Sequence, residues 1–137
     1  PQLVAKMKEG YDMVIASRYT GGAKSEDDDW LTGFGNWMFT QIINVLFSAR
    51  YTDSLVMMRA WKKEIFPKIT IRVDRAGFEP HICIVCAKLK LKVGDIPGDE
   101  PPRIAGIRKM NPFLNGGAIV LTILMELFPF CDPRASR

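Results

Sequence analysis

Three cations lie close together in the stretch Gly94–Met110, whose first part is acidic and interrupted by prolines. Arg103, Arg108 and Lys109 surround a glycine at Gly106. Arginine offers phosphate oxygens a planar fork of donors, lysine offers a point charge, and glycine lets a tight loop bring such groups together. Two interpretations fit this pattern: a loop that binds an anionic substrate, or a rim of solvated surface cations.

A second polar set lies in the segment YDMVIASRYTGGAKS, directly after an apolar run. The run Met13–Ala16 is continuously apolar and predicts a strand that is covered on both faces. Ligands of α/β sheets bind beyond the carboxyl ends of the strands, so Arg18 is a candidate site residue. An arginine that leaves the sheet into water is the other interpretation. Lys24 and Ser25 in the glycine-opened loop are suitable donors to a phosphate, although a short polar loop has the same composition.

Two further clusters contain residue types that bind metals, and we assign a metal to neither. Asp27 and Asp29 precede an apolar helix, where negative charge interacts favourably with the helix dipole. Cys83 and Cys86 form a lone C-x-x-C without the second pair of ligands that zinc usually needs. We interpret them as small buried residues on a helix, and the neighbouring His81 as a structural or surface residue.

The elements that must position these residues indicate an α/β fold. The chain has 137 residues, of which 47% are hydrophobic and 25% charged, so it can form one core. A helix in QLVAKMKEG precedes the buried strand. After this strand come a strand-like SLVMMRAW, a helix that begins near Phe78 and a strand around Lys92–Ile96. Helices and buried strands in succession predict a sheet flanked by helices.

The net charge indicates the class of partner, and the cysteine content indicates the cellular compartment. The net charge of +4 and the pI near 9.1 favour anionic partners such as nucleotides, phosphates or anionic lipid. Nucleic acid is not expected, because the cations are spread along the chain and the aromatic residues lie in apolar runs instead of between cations. Three cysteines are too few for a disulfide framework and suit a reducing compartment.

Two apolar segments are candidates for contact with a membrane. Trp30–Ala49 has no charged residue, but its glycines and amides argue against a membrane span. It is either a core helix or a helix whose aromatic face rests on a membrane interface. An apolar helix from about Gly117 to Phe128, interrupted by Glu126 alone, is expected to be an interfacial or packing helix.

Five motifs occur in a fixed order along the chain: DMVIASRY, TGGAKS, RYTDSLVMMRAW, GFEPHICIVCAKLKLKVGDIP and the R-x-x-G-x-x-K pattern that ends at Lys109. Their order resembles the second half of family-two inverting glycosyltransferases, and most of all the dolichyl-phosphate mannose synthase-like branch. The resemblance implies a partial nucleotide-sugar glycosyltransferase fold (GT-A-like), which is α/β with a mixed sheet flanked by helices and a C-terminal apolar helix. Residues 1–110 would be the C-terminal half of a catalytic domain, and residues 111–137 an apolar, interfacial helix and tail.

The resemblance implies roles for the residues of the acceptor side. Arg18, Lys24 and Ser25 resemble the acceptor-phosphate region, and Asp53 in YTDSL resembles an aspartate that holds a turn near the site. A sugar hydroxyl acceptor would need a general base, for which Glu79 in GFEPH is the candidate. A phosphate monoester is already largely dianionic at neutral pH and needs no base, so the basic set favours a phosphate acceptor.

The resemblance also implies a role for the basic loop. Arg103 and Lys109 resemble a loop that closes on phosphates, and Arg108 is expected to bind substrate beside them. In transfer from a nucleotide diphosphate sugar, negative charge grows on the leaving diphosphate, and fixed cations stabilise that charge in the transition state. The nucleotide pocket and an Asp-x-Asp metal motif would precede Pro1. A divalent metal, Mg²⁺ or Mn²⁺, is therefore expected in the intact enzyme, with its ligands outside this chain.

The function implied by the resemblance is transfer of a sugar from a nucleotide-sugar donor to a membrane-borne acceptor, with polyprenyl phosphate favoured. The intact transferase would be cytoplasmic and peripheral to the inner face of a membrane. The chain alone is expected to be inactive, because the residues that bind the donor would lie outside it. The alternative is a non-catalytic module for anion binding or membrane docking that kept the sheet but not the chemistry.

Overall fold

The computed structural model describes residues 1–23, 25, 29–69, 73, 77–101 and 111–128. Helices and strands alternate along most of this part of the chain, which confirms the expected α/β class. The elements in chain order are α1 (Gln2–Met7), β1 (Met13–Ser17), α2 (Trp30–Phe47), β2 (Arg59–Trp61), a 3₁₀-helix (Lys63–Lys68), α3 (Phe78–Lys88), β3 (Val93–Pro97) and α4 (Pro112–Leu127).

The described strands form a mixed sheet in the order β2-β1-β3. β1 runs antiparallel to β2, with Val14 opposite Ala60, and parallel to β3, with Ile15 opposite Asp95. Every residue of β1 is buried, as expected for a central strand that is covered on both faces. The parallel strands β1 and β3 end at the same edge of the sheet, which is where ligands of α/β sheets bind.

The strand predicted in SLVMMRAW is shorter than expected. Only Arg59–Trp61 pairs with β1. The residues before it form a turn, because one oxygen of the Asp53 carboxylate accepts the backbone N–H groups of Leu55 and Val56, each at 3.1 Å. An aspartate side chain that accepts the N–H groups of the residues that follow it gives that backbone hydrogen bonds that compete with those of a β-strand.

The last helix begins more than one turn earlier than its apolar pattern predicted. α4 starts at Pro112 instead of near Gly117. The Asn111 side chain accepts the backbone N–H of Phe113 at 3.0 Å and so caps the helix, and proline is well suited to the first helical position because its φ is preset and its missing N–H would have no helical partner. The cap residue and the proline therefore mark the start more reliably than the first run of apolar residues.

The core joins the sheet to the three long helices. α1 packs against all three strands, and α2, α3 and α4 pack on one another. Burying aliphatic side chains in this way is the main favourable contribution to folding. The buried cluster consists of Met13, Ile15, Ile43, Tyr51, Ile82, Cys83, Ile84, Cys86, Ile119 and Ile123.

One face of α2 remains apolar and exposed. Trp30, Phe34 and Trp37 recur at helical spacing, so they lie on the same face, and their exposed fractions are 81%, 51% and 57%. Ile43 of the same helix is buried in the core. None of the helices in the described part of the chain combines the length and the hydropathy that a membrane span requires.

Candidate functional site

Arg18 lies directly after β1 and forms a buried, two-pronged pair with Asp53. Arg18 Nε donates to Asp53 Oδ2 at 2.7 Å, and Arg18 Nη2 donates to Asp53 Oδ1 at 3.2 Å. The exposed fraction of the Arg18 side chain is 9% and that of Asp53 is 0%. Two parallel bonds between a guanidinium and a carboxylate fix the orientation of both groups, and each charge compensates for the other's loss of water.

Asp53 connects this pair to the turn before β2. The carboxylate that binds Arg18 also accepts the backbone N–H groups that hold the turn, so the turn fixes the aspartate and the aspartate fixes the arginine. The backbone N–H of Arg18 points to the same carboxylate, at 3.4 Å from Oδ2. The guanidinium is therefore held in one orientation before any ligand arrives.

A second carboxylate, that of Glu100, bridges Arg18 and Ser25. Its Oε2 accepts from Arg18 Nη1 at 3.2 Å and from the Ser25 hydroxyl at 2.8 Å. Ser25 and Glu100 also form an isolated parallel β-bridge, so the loop after β1 runs beside the segment after β3. We use the name Arg18 cluster for the four residues Arg18, Ser25, Asp53 and Glu100. The cluster lies at the carboxyl edge of the two parallel strands.

A chain of hydroxyls borders the Arg18 cluster. The Thr52 hydroxyl lies 2.6 Å from Ser17 Oγ and 2.6 Å from Asp95 Oδ2, and the Thr52 backbone N–H donates to the same Asp95 oxygen at 3.0 Å. Burial raises the pKa of Asp95 above its usual value, while the bonds from Thr52 act in the opposite direction. These contacts tie the end of β1 to β3 next to Arg18.

The structure brings together three of the residues predicted for the site: Arg18, Ser25 and Asp53. Glu79 lies in the first turn of α3, where its backbone carbonyl accepts from Arg59 Nη1 at 3.2 Å. Its carboxylate makes no hydrogen bond or ion pair with any other described residue. The remaining predicted site residues, Lys24, Arg103, Arg108 and Lys109, lie outside the described residues.

Sequence reasoning missed Glu100, Thr52 and Asp95. Glu100 was visible only as part of the acidic, proline-rich stretch GDIPGDEPP, which is also typical of a solvated loop. Thr52 and Asp95 are 43 residues apart, and no local spacing rule relates them. Its position could have identified Asp95, because it lies near the carboxyl end of a predicted strand, where site residues of α/β sheets are found.

The residue types that can bind metals have other roles in the described structure. Asp29 caps α2 by accepting the Thr32 N–H at 2.8 Å, and Asp27 lies outside the described residues. Cys83 and Cys86 are buried, as predicted, and burial raises the pKa of both thiols, that of Cys86 to about 12. No three His, Cys, Asp or Glu side chains within the described ranges are arranged to hold a metal ion.

His81 belongs to a separate charged contact between α3 and α4. Its Nε2 lies 3.2 Å from Glu126 Oε1, and Lys88 Nζ lies 2.6 Å from Glu126 Oε2. The His81 contact is at ion-pair distance but is not aligned as a hydrogen bond. The neighbouring His81 ring and the Lys88 ammonium lower the pKa of Glu126 to about 2. His81 is thus buried and structural, which agrees with one of its two predicted interpretations.

Two curated proteins of Haloferax volcanii are similar to most of this chain. A dolichyl-phosphate hexose transferase is 28% identical over 124 residues, which cover 90% of this chain and 53% of that protein. The glycosyltransferase AglJ is 28% identical over 126 residues, covering 89% of this chain and 40% of that protein. The chain is a distant relative of archaeal glycosyltransferases. No family model matches it.

This glycosyltransferase relation agrees, in coarse terms, with the order of motifs in the sequence. The aligned part spans about half the length of the relatives. Ser25, Arg18 and Asp53 come from three different motifs of that order, and the fold brings them to one edge of the sheet.

Proposed function

We propose that this chain forms the acceptor side of a glycosyltransferase that moves a sugar from a nucleotide-sugar donor to a polyprenyl phosphate at a membrane surface. The observation that carries the proposal is the oriented Arg18 guanidinium, held by Asp53 at the carboxyl end of the central strand, beside the Ser25 hydroxyl. One of the two relatives is named for transfer involving dolichyl phosphate, which is a polyprenyl-type lipid phosphate.

A phosphate acceptor suits this site because it needs orientation more than it needs a base. Its second pKa is about 6, so an oxygen of the dianion can attack without first losing a proton. That oxygen forms a bond to the anomeric carbon of the sugar, and the bond from this carbon to the nucleotide diphosphate breaks. Arg18 and Ser25 hold the phosphate in line for this attack, and the fixed guanidinium lowers the entropic cost of alignment.

The departing diphosphate needs positive charge that is in place before the reaction. We assign this role to Arg103 and Lys109, with Arg108 as a further contact to the substrate. Cations that are fixed near developing charge stabilise the transition state more than the ground state. A divalent metal, Mg²⁺ or Mn²⁺, belongs to the proposal for the intact enzyme. The described residues provide no site for it, so its ligands would lie elsewhere.

The exposed aromatic face of α2 suits a protein that must reach a lipid-borne substrate. Trp30, Phe34 and Trp37 present apolar rings to the surroundings, and tryptophan favours the boundary between hydrocarbon and water. We therefore propose a peripheral position on the cytoplasmic face of a membrane, with this face of α2 in contact with the lipid.

The test is an acceptor comparison with the full-length protein. Labelled sugar would be supplied as nucleotide sugars, and the acceptors would be polyprenyl monophosphate and the matching polyprenol in neutral vesicles. Transfer to the monophosphate alone supports the proposal. Transfer to the alcohol would indicate hydroxyl chemistry. Vesicle or anion binding without any transfer would support a non-catalytic binding module instead.

A further inference from the structure

The Glu100 carboxylate binds the two donors that the proposed function assigns to the acceptor phosphate. One oxygen, Oε2, accepts from Arg18 Nη1 at 3.2 Å and from Ser25 Oγ at 2.8 Å. A phosphate oxygen has the same preference for a guanidinium and a hydroxyl donor. Glu100 thus makes, within the chain, the contacts that an anionic ligand would make.

The backbone around Glu100 keeps its side chain close to Arg18. The N–H of Gly98 donates to the Ser17 carbonyl at 2.9 Å, which holds the exit of β3 against the exit of β1. A Cβ atom on Gly98 would lie 2.7 Å from the Ala16 Cβ, so only glycine allows this close approach. The bridge between Ser25 and Glu100 then continues the pairing beyond the strands.

Two carboxylates among the described residues bind Arg18, and they differ in how firmly they are held. The Asp53 side chain is fully buried and also carries the bonds of the turn, so its removal from Arg18 would leave a buried charge. The Glu100 side chain is 41% exposed and can rotate into water. A partly exposed ion pair contributes little, so a ligand can replace Glu100 at small cost.

The charges of the described side chains favour this replacement by an anion. Arg18 and Asp53 together are neutral, and Glu100 adds one negative charge directly beside them. A phosphate dianion that approached while Glu100 stayed in place would meet a like charge within a few ångströms. When Glu100 leaves, Arg18 Nη1 and Ser25 Oγ lose this acceptor and can donate to a phosphate oxygen in its place, and the repulsion falls.

We propose that Glu100 competes with the acceptor phosphate for Arg18 and Ser25, and so sets the affinity and selectivity of the acceptor site. This inference rests on the proposed function. A dianion with several oxygens can displace the carboxylate, whereas a neutral alcohol offers no charge to replace it. The competition therefore favours phosphate monoesters over hydroxyl acceptors.

The experiment measures phosphate affinity in the full-length protein without nucleotide sugar. Inorganic phosphate would be titrated by calorimetry into the wild type, Glu100→Gln and Glu64→Gln. Glu64 is an exposed glutamate on the 3₁₀-helix, so its variant makes the same chemical change away from Arg18. We expect Glu100→Gln to tighten phosphate binding by about tenfold, which corresponds to about 1.4 kcal/mol, and Glu64→Gln to leave it unchanged.

Two further binding experiments identify the source of the phosphate and the residue that binds it. Neutral vesicles with and without polyprenyl monophosphate would distinguish a lipid headgroup from free phosphate, and Glu100→Gln should strengthen binding only to the vesicles that contain the phosphate. Adding Arg18→Lys to Glu100→Gln should reverse the gain, because lysine lacks the second arm of the fork. Glu100→Ala repeats the test with a different side chain.

The outcomes separate the competition from the proposed function. Equal phosphate affinity in the wild type and in both Glu100 variants would overturn the competition, as would a gain that persists with Arg18→Lys. Failure of the proposed function would instead be seen as absence of sugar transfer to polyprenyl phosphate, whatever the phosphate affinity of the Glu100 variants.

Discussion

His81 Nε2 lies 3.2 Å from Glu126 Oε1, and this contact joins α3 to α4 inside the protein. The His81 side chain is fully buried, and the Glu126 side chain is 8% exposed. The other Glu126 oxygen accepts from Lys88 Nζ at 2.6 Å, so one carboxylate contacts two residues of the same helix. α2 supplies no charged residue to this contact, because its whole length is uncharged. The stability of the α3–α4 contact should therefore depend on the ionisation of Glu126.

We predict that lowering the pH below about 4.5 weakens this contact. The partners hold the pKa of Glu126 at about 2, below its ordinary value of 4.5. A carboxyl group with a lowered pKa stabilises the fold above its unfolded pKa, and that contribution is lost as the pH falls through its folded pKa. Denaturant unfolding of the wild type between pH 5 and pH 2 (about the range of the two pKa values) should show this loss.

The matched variant is Glu126→Gln. It should lower the free energy of unfolding at pH 7 by about 2 kcal/mol and should show a smaller loss between pH 5 and pH 2 than the wild type. Glu64→Gln, on the exposed 3₁₀-helix, should change neither quantity. Equal pH dependence in the wild type and Glu126→Gln would contradict the assignment.

Arg18→Lys should weaken the acceptor site and leave the donor site intact. Lysine keeps the charge but cannot make both bonds to Asp53, so the orientation of the cation is lost. We expect the KM for polyprenyl phosphate to rise by about tenfold or more, with little change in the KM for the nucleotide sugar. Arg50→Lys, at an exposed position, is the control. If both variants behave alike, Arg18 does not contact the acceptor.

Glu79→Gln should retain most of the transfer to polyprenyl phosphate. The proposed phosphate acceptor would already be ionised at neutral pH, and the Glu79 carboxylate makes no contact with the Arg18 cluster among the described residues. Steady-state kinetics should give a kcat within about threefold of the wild type, which is less than the usual loss for a general base. Abolished turnover with intact folding and donor binding would indicate a hydroxyl acceptor instead.

Trp30→Ala and Trp37→Ala should each reduce binding to lipid vesicles. Both side chains are more than half exposed, so their truncation leaves the core unchanged. Burial of a ring this large in the interface contributes at least about 1.4 kcal/mol, and we expect a loss of about tenfold in vesicle flotation for each variant. Phe66→Ala, which removes a half-exposed ring from the 3₁₀-helix, should bind as the wild type does. Unchanged flotation of both tryptophan variants would exclude this face of α2 as the lipid contact.

The sequence predicted the elements better than the contacts between them. The apolar run at Met13–Ala16 was sufficient for the central strand, because a strand covered on both faces has no polar alternation. Arg18 and Asp53 were both named as site residues, but nothing local relates two positions 35 residues apart. Their pairing follows from the way in which the turn before β2 folds back on the end of β1.

Glu126 shows a second reason why contacts were missed. It was recognised as the only charge in an apolar helix, and His81 was recognised as a lone histidine, but each was considered separately. Only the packing of α4 on α3 brings them to 3.2 Å. Glu100 was overlooked for the opposite reason, since an acidic residue among prolines is usually solvated and gives no sign of a partner in another loop.

The unequal burial of Asp53 and Glu100 around Arg18 has an evolutionary consequence. Arg18 and Asp53 are 9% and 0% exposed, so replacing Arg18 alone would strand the buried Asp53 carboxylate at a cost of about 3 to 5 kcal/mol, and replacing Asp53 alone would remove both bonds that orient Arg18. The two positions should therefore covary among descendants of this chain, with viable changes arriving as a pair. Glu100 is under a weaker constraint, because it is partly exposed and Arg18 keeps its buried pair with Asp53 when Glu100 is replaced. If Glu100 competes with the acceptor as proposed, selection can adjust acceptor preference at position 100 while the inherited pair at positions 18 and 53 stays fixed.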